Sequence, residues 1–397
     1  MWAGRHVVVG VTGGIACYKT CHLVRRLTEV NARVDVVLTR AAAEFVRPLT
    51  FEALSGRPVL ASLWEPAHAL AHVRLGQEAD LLIVAPATAH FIARLANGMA
   101  DDFLTALLLA RTRPALLAPA MNDAMFAASP TQENLARLTA RGFAVVGPER
   151  GALAEGPSDR PGRMSEPDTI LHHASRLLRS GGPLAGRHVV VTAGPTREAM
   201  DPVRIVTNRS SGKMGFRLAQ AAWYRGADVH LITGPSAEPA PVGVQIERIE
   251  STAELQAAVE RALERADVLI MAAAPADYRP ATSEARKRPR LDGPIEVTFE
   301  PTIDVLTSTR SSRKPGAVIV GFALETGDAT ERAAAKLARK GLDLIVANDA
   351  LVAGAGFEVD TNRVTIIDRD GGRRELPLRS KSEVAEAILD AVEVRLG

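Results

Sequence analysis

The hexapeptide Gly-Arg-His-Val-Val-Val stands at Gly4 to Val9 and again at Gly186 to Val191, each time running into a turn that contains glycine. A branched apolar strand, a glycine turn and a helix make the opening unit of a nucleotide-type α/β layer. The turn brings backbone N–H groups and a helix N-terminus to one point, where a phosphate can bind. Two such openings in 397 residues predict two domains, since a single core stops growing well before that length. The breaker-rich stretch Ser-Gly-Gly-Pro-Leu-Ala-Gly after Arg179 suits a linker and sets the expected division at 1–180 and 181–397.

Strand-like runs at 6–11, 33–38, 80–85, 115–118 and 143–146 alternate with helical spacing such as 17–30 and 131–140. The second half repeats this with runs at 188–192, 228–233, 267–272, 317–322, 343–347 and 363–367, and a helix from about 382. Alternation of this kind gives parallel sheets covered by helices. The expected class is α/β, with two doubly wound Rossmann-like parallel-sheet domains. Ligands in this architecture bind at the C-terminal strand ends.

With 47% apolar and 24% charged residues, the chain has ample core material and is not a disordered polymer. A formal net charge of +2 gives no general attraction to nucleic acid or to an acidic membrane surface. Cys17 and Cys21 are the only cysteines; one helical turn apart, they read as reduced thiols. No apolar run reaches the ~18 residues of a membrane span, and the first strand follows the N-terminus without a signal-peptide pattern. A soluble, cytoplasmic protein is expected.

The first turn, Gly10-Val11-Thr12-Gly13-Gly14-Ile15-Ala16, lacks the Gly-x-Gly-x-x-Gly spacing of a dinucleotide site, so a mononucleotide fits better. Thr39 ends the second strand, Pro86-Ala87-Thr88-Ala89 the third, and Pro119-Ala120-Met121-Asn122 with Met125 the fourth. Small residues there let a flat ring approach the backbone. Each is equally a loop with a helix cap, and Thr88 is a good N-cap.

Gly13-Gly14-Ile15-Ala16, His72-Val73-Arg74-Leu75 ahead of Asp80, Pro86-Ala87-Thr88-Ala89 and Pro119-Ala120-Met121-Asn122-x-x-Met125 together resemble the signature of the homo-oligomeric flavin-containing cysteine decarboxylases. The resemblance implies bound FMN, contacted by Gly13, Gly14, Ile15, Thr39, Pro86, Ala87, Thr88, Ala89 and Met125. It also implies a substrate ending in cysteine, His72 as catalytic base, Asn122 holding the substrate carboxylate, and trimers grouped into dodecamers with FMN sites between subunits. An imidazole suits removal of a thiol proton near neutral pH; His68 is the competing histidine.

One departure stands out. Leu153-Ala154-Glu155-Gly156, ahead of Gly162-Arg163-Met164, places Glu155 where the family carries a flap cysteine. Three outcomes are open. Glu155 donates the proton, provided burial raises its pKa from about 4.3; water donates it; or the flavin half reaction is impaired, leaving a structural first domain beside an active ligase.

The second half carries Thr192-Ala193-Gly194-Pro195-Thr196-Arg197-Glu198 and the run from Asp201 to Gly215, with Asn208-Arg209-Ser210-Ser211-Gly212-Lys213 at its centre. Ala272-Ala273-Ala274-Pro275-Ala276-Asp277-Tyr278, Gly321-Phe322-Ala323-Leu324-Glu325-Thr326 and Ala347-Asn348-Asp349 follow. These resemble the phosphopantothenate–cysteine ligases; Ser-Gly-Lys alone lacks P-loop spacing.

The resemblance implies CTP with Mg2+, an acyl-cytidylate, and dimeric ligase contacts. Asn208, Arg204 and Lys287 would be catalytic. CTP contacts would come from Met271, Ala272, Ala273, Asp277, Lys287, Ile303, Asp304, Val305, Leu306, Phe322, Lys336 and Lys340. The basic segment Arg279, Arg286, Lys287, Arg288 and Arg290 reads as a cationic lid or as a solvated loop. Small-molecule substrates (4'-phosphopantothenate, L-cysteine, CTP, phosphopantothenoylcysteine) are the expected partners. A noncatalytic regulator of other proteins is the rival reading.

Overall fold

The computed structural model of the chain describes residues 1–64, 70–287, 296–325, 329–349, 356 and 359–397. It divides into two compact units, Met1–Arg179 and Ser180–Gly397.

In the first unit, β1 (His6–Val11), β2 (Arg33–Leu38), β3 (Leu81–Ala87), β4 (Ala115–Pro119) and β5 (Phe143–Val145) form one sheet ordered β2-β1-β3-β4-β5, parallel throughout. The helices are α1 (Cys17–Glu29), α2 (Pro48–Ser55), α3 (Ala71–Glu78), α4 (Ala89–Ala96), α5 (Phe103–Leu109), α6 (Asp123–Ala127), α7 (Ser129–Ala140) and α8 (Pro167–Arg179). A short antiparallel pair, β6 (Glu149–Arg150) and β7 (Pro161–Arg163), lies outside the sheet.

β1 is buried at every position, which is why it reads as a continuous apolar run: both sheet faces are covered. Val7, Val9 and Ile83 pack with Leu23, Leu27 and Phe51 on one face; Val8 and Leu82 pack with Phe91, Phe103 and Leu107 on the other. The strand order is the flavodoxin-like one, whose switch point lies between β1 and β3.

The second unit has the sheet β12-β11-β8-β13-β16-β17-β18-β19. Its strands are β8 (His188–Ala193), β11 (Asp228–Thr233), β12 (Gln245–Arg248), β13 (Val268–Met271), β16 (Val318–Glu325), β17 (Leu344–Asp349), β18 (Thr361–Asp368) and β19 (Arg373–Ser380). The first six in spatial order are parallel; β18 and β19 close the edge as an antiparallel hairpin. This is the Rossmann order with its switch point between β8 and β13.

Two short antiparallel pairs stand apart from this sheet, β9 (Arg197–Ala199) with β10 (Ile205–Thr207), and β14 (Tyr278–Pro280) with β15 (Phe299–Pro301). The helices α9 (Lys213–Tyr224) and α13 (Lys381–Leu396) cover one face; α10 (Thr252–Leu263), α11 (Val305–Ser308) and α12 (Ala329–Lys340) cover the other. Ser380 and Glu383 form a reciprocal capping box at the start of α13. β19 is absent from the sequence reading because Arg373–Ser380 buries only Leu376; its charges suit an edge strand that must not recruit a further partner.

Candidate active sites

In the first unit a cavity of about 860 Å³ opens at the switch point, inside the ~300–1,000 Å³ range of small-molecule sites. Gly13, Gly14, Ile15, Thr39, Thr88, Ala89, Asn122, Met125 and Glu155 all line it. Its rim is fixed by strand-end hydrogen bonds. Thr12 Oγ1 donates to Pro86 O at 2.7 Å and accepts from Thr88 N at 3.2 Å, joining the ends of β1 and β3. Thr88 also caps α4 through Phe91 N, so the cap and the site belong to one residue.

Thr39 Oγ1 donates to Val11 O at 3.2 Å. A Cβ at Gly13 would lie 2.4 Å from Ala41 Cβ, so only glycine lets the β1–α1 turn pass this close to the loop after β2. Asn122 caps α6, its Oδ1 accepting from Ala124 N at 2.9 Å; its Nδ2 has no protein acceptor among the described residues. The open turn and small strand ends fit a flat ring with its phosphate near the α1 N-terminus.

The cavity also takes Lys19, Arg40, Arg94 and Arg163, which the sequence reading misses. The Lys19 ammonium is buried and donates to Glu166 Oε1 at 2.8 Å; its position one turn past the glycine turn was the available signal. Arg94 is held by Asp101 and Asp102.

Several expectations change. Pro86 and Ala87 are buried within β3 and do not line the cavity. His72, near the start of α3, is also outside it; its Nδ1 is buried without a hydrogen-bond partner among the described residues, and its ring stands edge-on to Phe103 at 6.2 Å. Glu155 sits in a turn closed by Leu153 N to Gly156 O at 2.8 Å and is exposed. His68, Arg288, Pro289, Arg290 and Thr326 lie outside the described residues.

In the second unit a cavity of about 470 Å³ lies at the β8/β13 switch point. Asn208, Met271, Ala272, Ala273, Asp277, Ile303, Asp304, Val305, Leu306, Phe322, Lys336 and Lys340 line it. The segment after β13 is pinned from both sides. Ala273 N donates to Thr192 Oγ1 at 3.1 Å, Ala276 N to Thr196 Oγ1 at 2.9 Å, and Asn208 Nδ2 to Ala274 O and Pro275 O at 3.2 and 2.9 Å.

Gly212, at φ +83°, reverses the chain into α9, a left-handed conformation that glycine adopts without penalty. Asp304 caps α11 and pairs with Lys340 at 2.8 Å. Burial works to raise the Asp304 carboxyl pKa, but the Lys340 ammonium outweighs it and holds the carboxyl below the usual range. Lys336 donates to Phe322 O at 3.2 Å.

Arg204 and Lys287 do not line this cavity. Arg204 bonds Asp201 at 2.8 Å in the β9–β10 turn, and Lys287 is exposed. Arg279 pairs with Glu300 across β14 and β15, so that part of the expected lid is a strand pair. Sequence reasoning missed Lys213, Asn348, Asn362 and Lys381, which also line the cavity.

Residues 1–179 match the Flavoprotein family, and residues 184–395 match the DNA/pantothenate metabolism flavoprotein C-terminal domain. The coenzyme A biosynthesis bifunctional protein CoaBC of Vibrio cholerae is 44% identical over 99% of this chain and 99% of its own length. The chain belongs to the bifunctional coenzyme A biosynthesis protein family. The Bacillus subtilis CoaBC protein is 43% identical over 99% of this chain and 97% of its own length. A solved C-terminal domain of a CoaBC protein aligns over 54% of this chain and 98% of its own length, at 38% identity and a TM-score of 0.47.

As a family member the chain is an enzyme of coenzyme A biosynthesis with decarboxylase and ligase activities, and its first unit is a flavoprotein. Among the described residues, no helix is long and apolar enough to cross a membrane.

Proposed function

We propose that the second unit joins L-cysteine to 4'-phosphopantothenate with CTP through an acyl-cytidylate. The first unit, with FMN, then decarboxylates phosphopantothenoylcysteine to 4'-phosphopantetheine in the cytoplasm. One observation carries this reading: two separate cavities occupy the two switch points, the first walled by small strand ends, the second by lysines and pinned backbone.

In the ligase cavity, Lys336, Lys340 and the backbone of Met271 to Ala273 hold the nucleotide, with Asp277, Ile303, Asp304, Val305, Leu306 and Phe322 around it. Mg2+ would help to offset the triphosphate charge here. Asn208, fixed by two carbonyls, orients the activated carboxyl; Arg204 and Lys287 join from the β9–β10 turn and the segment after β14. Lysine ammonium groups offset the charge of a triphosphate approached by a carboxylate.

In the decarboxylase cavity, Gly13, Gly14, Ile15, Thr39, Thr88, Ala89 and Met125 surround FMN, which supplies the two-electron chemistry when bound; Pro86 and Ala87 shape it from within β3. Asn122 Nδ2 donates to the substrate carboxylate. His72 lies outside its own cavity and acts as base at that of a neighbouring subunit, in a homo-oligomer of trimeric decarboxylase and dimeric ligase contacts that forms dodecamers. Because Glu155 is exposed, water reaching past it delivers the final proton.

The test supplies purified protein with 4'-phosphopantothenate, cysteine and CTP, and follows pyrophosphate and carbon dioxide. Both are expected. His72→Asn should lower carbon dioxide release by about 10²-fold or more, the usual weight of a general base, and leave pyrophosphate release intact. Loss of both activities in this variant would contradict the division of labour.

A further inference from the structure

Asn208 is gripped from two directions, and both lead back to Thr196. Its side chain donates to Ala274 O and Pro275 O. The next residue of that segment, Ala276, gives its N–H to Thr196 Oγ1 at 2.9 Å, and its carbonyl accepts from Thr302 Oγ1. On the other side Thr207, beside Asn208 at the end of β10, donates its hydroxyl to Thr196 O at 2.7 Å. Thr196 thus holds the strand that carries Asn208 through its carbonyl, and the segment that Asn208 grips through its hydroxyl.

Thr196 is fully buried, and its hydroxyl leads further inward. Thr252 Oγ1 lies 2.9 Å from Thr196 Oγ1 and donates to Glu198 Oε1 at 2.8 Å. A hydroxyl has a single proton to give. Because the Thr252 proton goes to Glu198, the Thr196 proton goes to Thr252, and the Thr196 lone pairs are left for the Ala276 N–H. The donors run one way, from Ala276 N–H through the Thr196 and Thr252 hydroxyls to Glu198, and bonds aligned like this strengthen one another in a closed interior.

Glu198 is held in its turn. It is the buried middle residue of β9, and the same Oε1 accepts from Thr252 N at 2.9 Å. Thr252 is the first residue of α10, where the N–H has no helical acceptor and the helix end favours negative charge. Thr196, Glu198 and Thr252 do not line the cavity, whereas Ala276 does. The chain of hydroxyls therefore meets the site at Ala276.

We propose that Glu198, Thr252 and Thr196 are positioning residues of the ligase. Their one-way hydroxyl chain sets Ala276, and with it the neighbouring carbonyl pair that aims Asn208 at the activated carboxyl. This rests on reading the second unit as a ligase with Asn208 in its site.

Thr252→Val removes the middle hydroxyl at nearly constant volume, and Thr252→Ser restores it. Without that hydroxyl the Thr196 proton loses its acceptor, and the alignment that presents a lone pair to Ala276 N–H is lost. Ligation is followed in the full chain by pyrophosphate release. The kcat of Thr252→Val should fall by about tenfold, within the range of a small misplacement of a catalytic group, and Thr252→Ser should recover most of it. The KM for CTP should stay within about threefold, because Lys336 and Lys340 enter the cavity from α12, which takes no part in the chain.

A double-mutant cycle separates positioning from plain support of the fold. If Thr252 acts through Asn208, its loss is already contained in that of Asn208→Ala, and the double variant should lie within about threefold of Asn208→Ala alone. Losses that multiply, or an unchanged kcat in Thr252→Val, would overturn the proposal. Should Thr252→Val fail to fold, Glu198→Gln carries the test. A neutral amide oxygen is a weaker acceptor, so the same pattern is expected at about threefold, and an unchanged kcat overturns the proposal there too.

Hydrogen exchange over residues 272–278 gives a readout that needs no turnover. These amides should exchange faster in Thr252→Val than in wild type and regain protection in Thr252→Ser, while α9, on the opposite face of the sheet, keeps wild-type protection. If wild type shows no CTP-dependent ligation, or Asn208→Ala leaves no rate to compare, exchange decides. Faster exchange confined to 272–278 keeps the chain of hydroxyls, and equal exchange removes it.

Discussion

Replacing Gly13 by alanine tests whether the close pass of the β1–α1 turn builds the flavin cavity. The new Cβ would stand 2.4 Å from Ala41 Cβ and 2.8 Å from Ala41 C. Carbon atoms rest at ~3.5–4.0 Å, so the turn and the loop after β2 must part by about 1 Å. Ala41 meets the new atom with its backbone as well as its Cβ, and no rotamer change relieves that.

Overpacking of this kind costs ~1–3 kcal/mol. If the turn moves to relieve it, flavin binding weakens by about 5- to 150-fold, the same energy expressed as a ratio. Gly14→Ala is the control: its Cβ would meet only the Thr88 methyl at 3.2 Å and Pro86 Cγ at 3.9 Å, and a loss near the low end is expected. Flavin per polypeptide after gel filtration, followed by titration with free FMN, reads the effect, and ligation rate reports on the second unit. Full flavin content in Gly13→Ala, with an unchanged thermal midpoint, would refute the reasoning.

Arg225 is 5% exposed and ties α9 to α13 through Glu386, Asp390 and Glu393 at 2.6–2.7 Å. Arg225→Met should lower the stability of the second unit toward the lower end of the ~3–5 kcal/mol seen when a buried pair loses one partner, since Asp390 keeps contact with water; calorimetry checks it. Asp35 lies buried between His6 and Arg57. Burial works to raise its pKa, but those two partners hold it below 3.8. The folded carboxyl therefore binds its proton less readily than the unfolded one, and the stability it adds is whole above that pH and lost as pH falls below it. Denaturant midpoints of wild type and Asp35→Asn should differ above about pH 5 and converge in acid. Glu155→Gln should change carbon dioxide release by less than about tenfold, and a loss at the ~10²-fold scale of general acid catalysis would return the proton to the carboxyl.

Buried parallel strands such as β1 and β8 announce themselves because covering both faces demands unbroken apolar runs. The same logic hides β19, where only Leu376 faces the core, and the three-residue pairs β9–β10 and β14–β15, too short for a periodic pattern. Glycine turns and strand-end motifs marked Gly13, Thr88 and Asn122 as cavity residues. The resemblance to known ligases marked Lys336 and Lys340. It did not mark Lys213, Asn348 or Lys381 for the site, and the resemblance to the flavin-containing decarboxylases placed His72 at a cavity that the described residues of this unit line without it.

Local chemistry, strung along the chain, settles which segments become strands, helices and turns, and hence that two nucleotide-type layers follow one another here. Which ends of those layers meet is a different matter. Strand order puts the switch point at β1/β3 in one unit and β8/β13 in the other, and it sets the first turns of α9 and α13 around one cavity. Periodicity reports only how a residue relates to its neighbours within a few positions. A pocket collects side chains from remote segments, so its charge balance exists only once the sheet has closed.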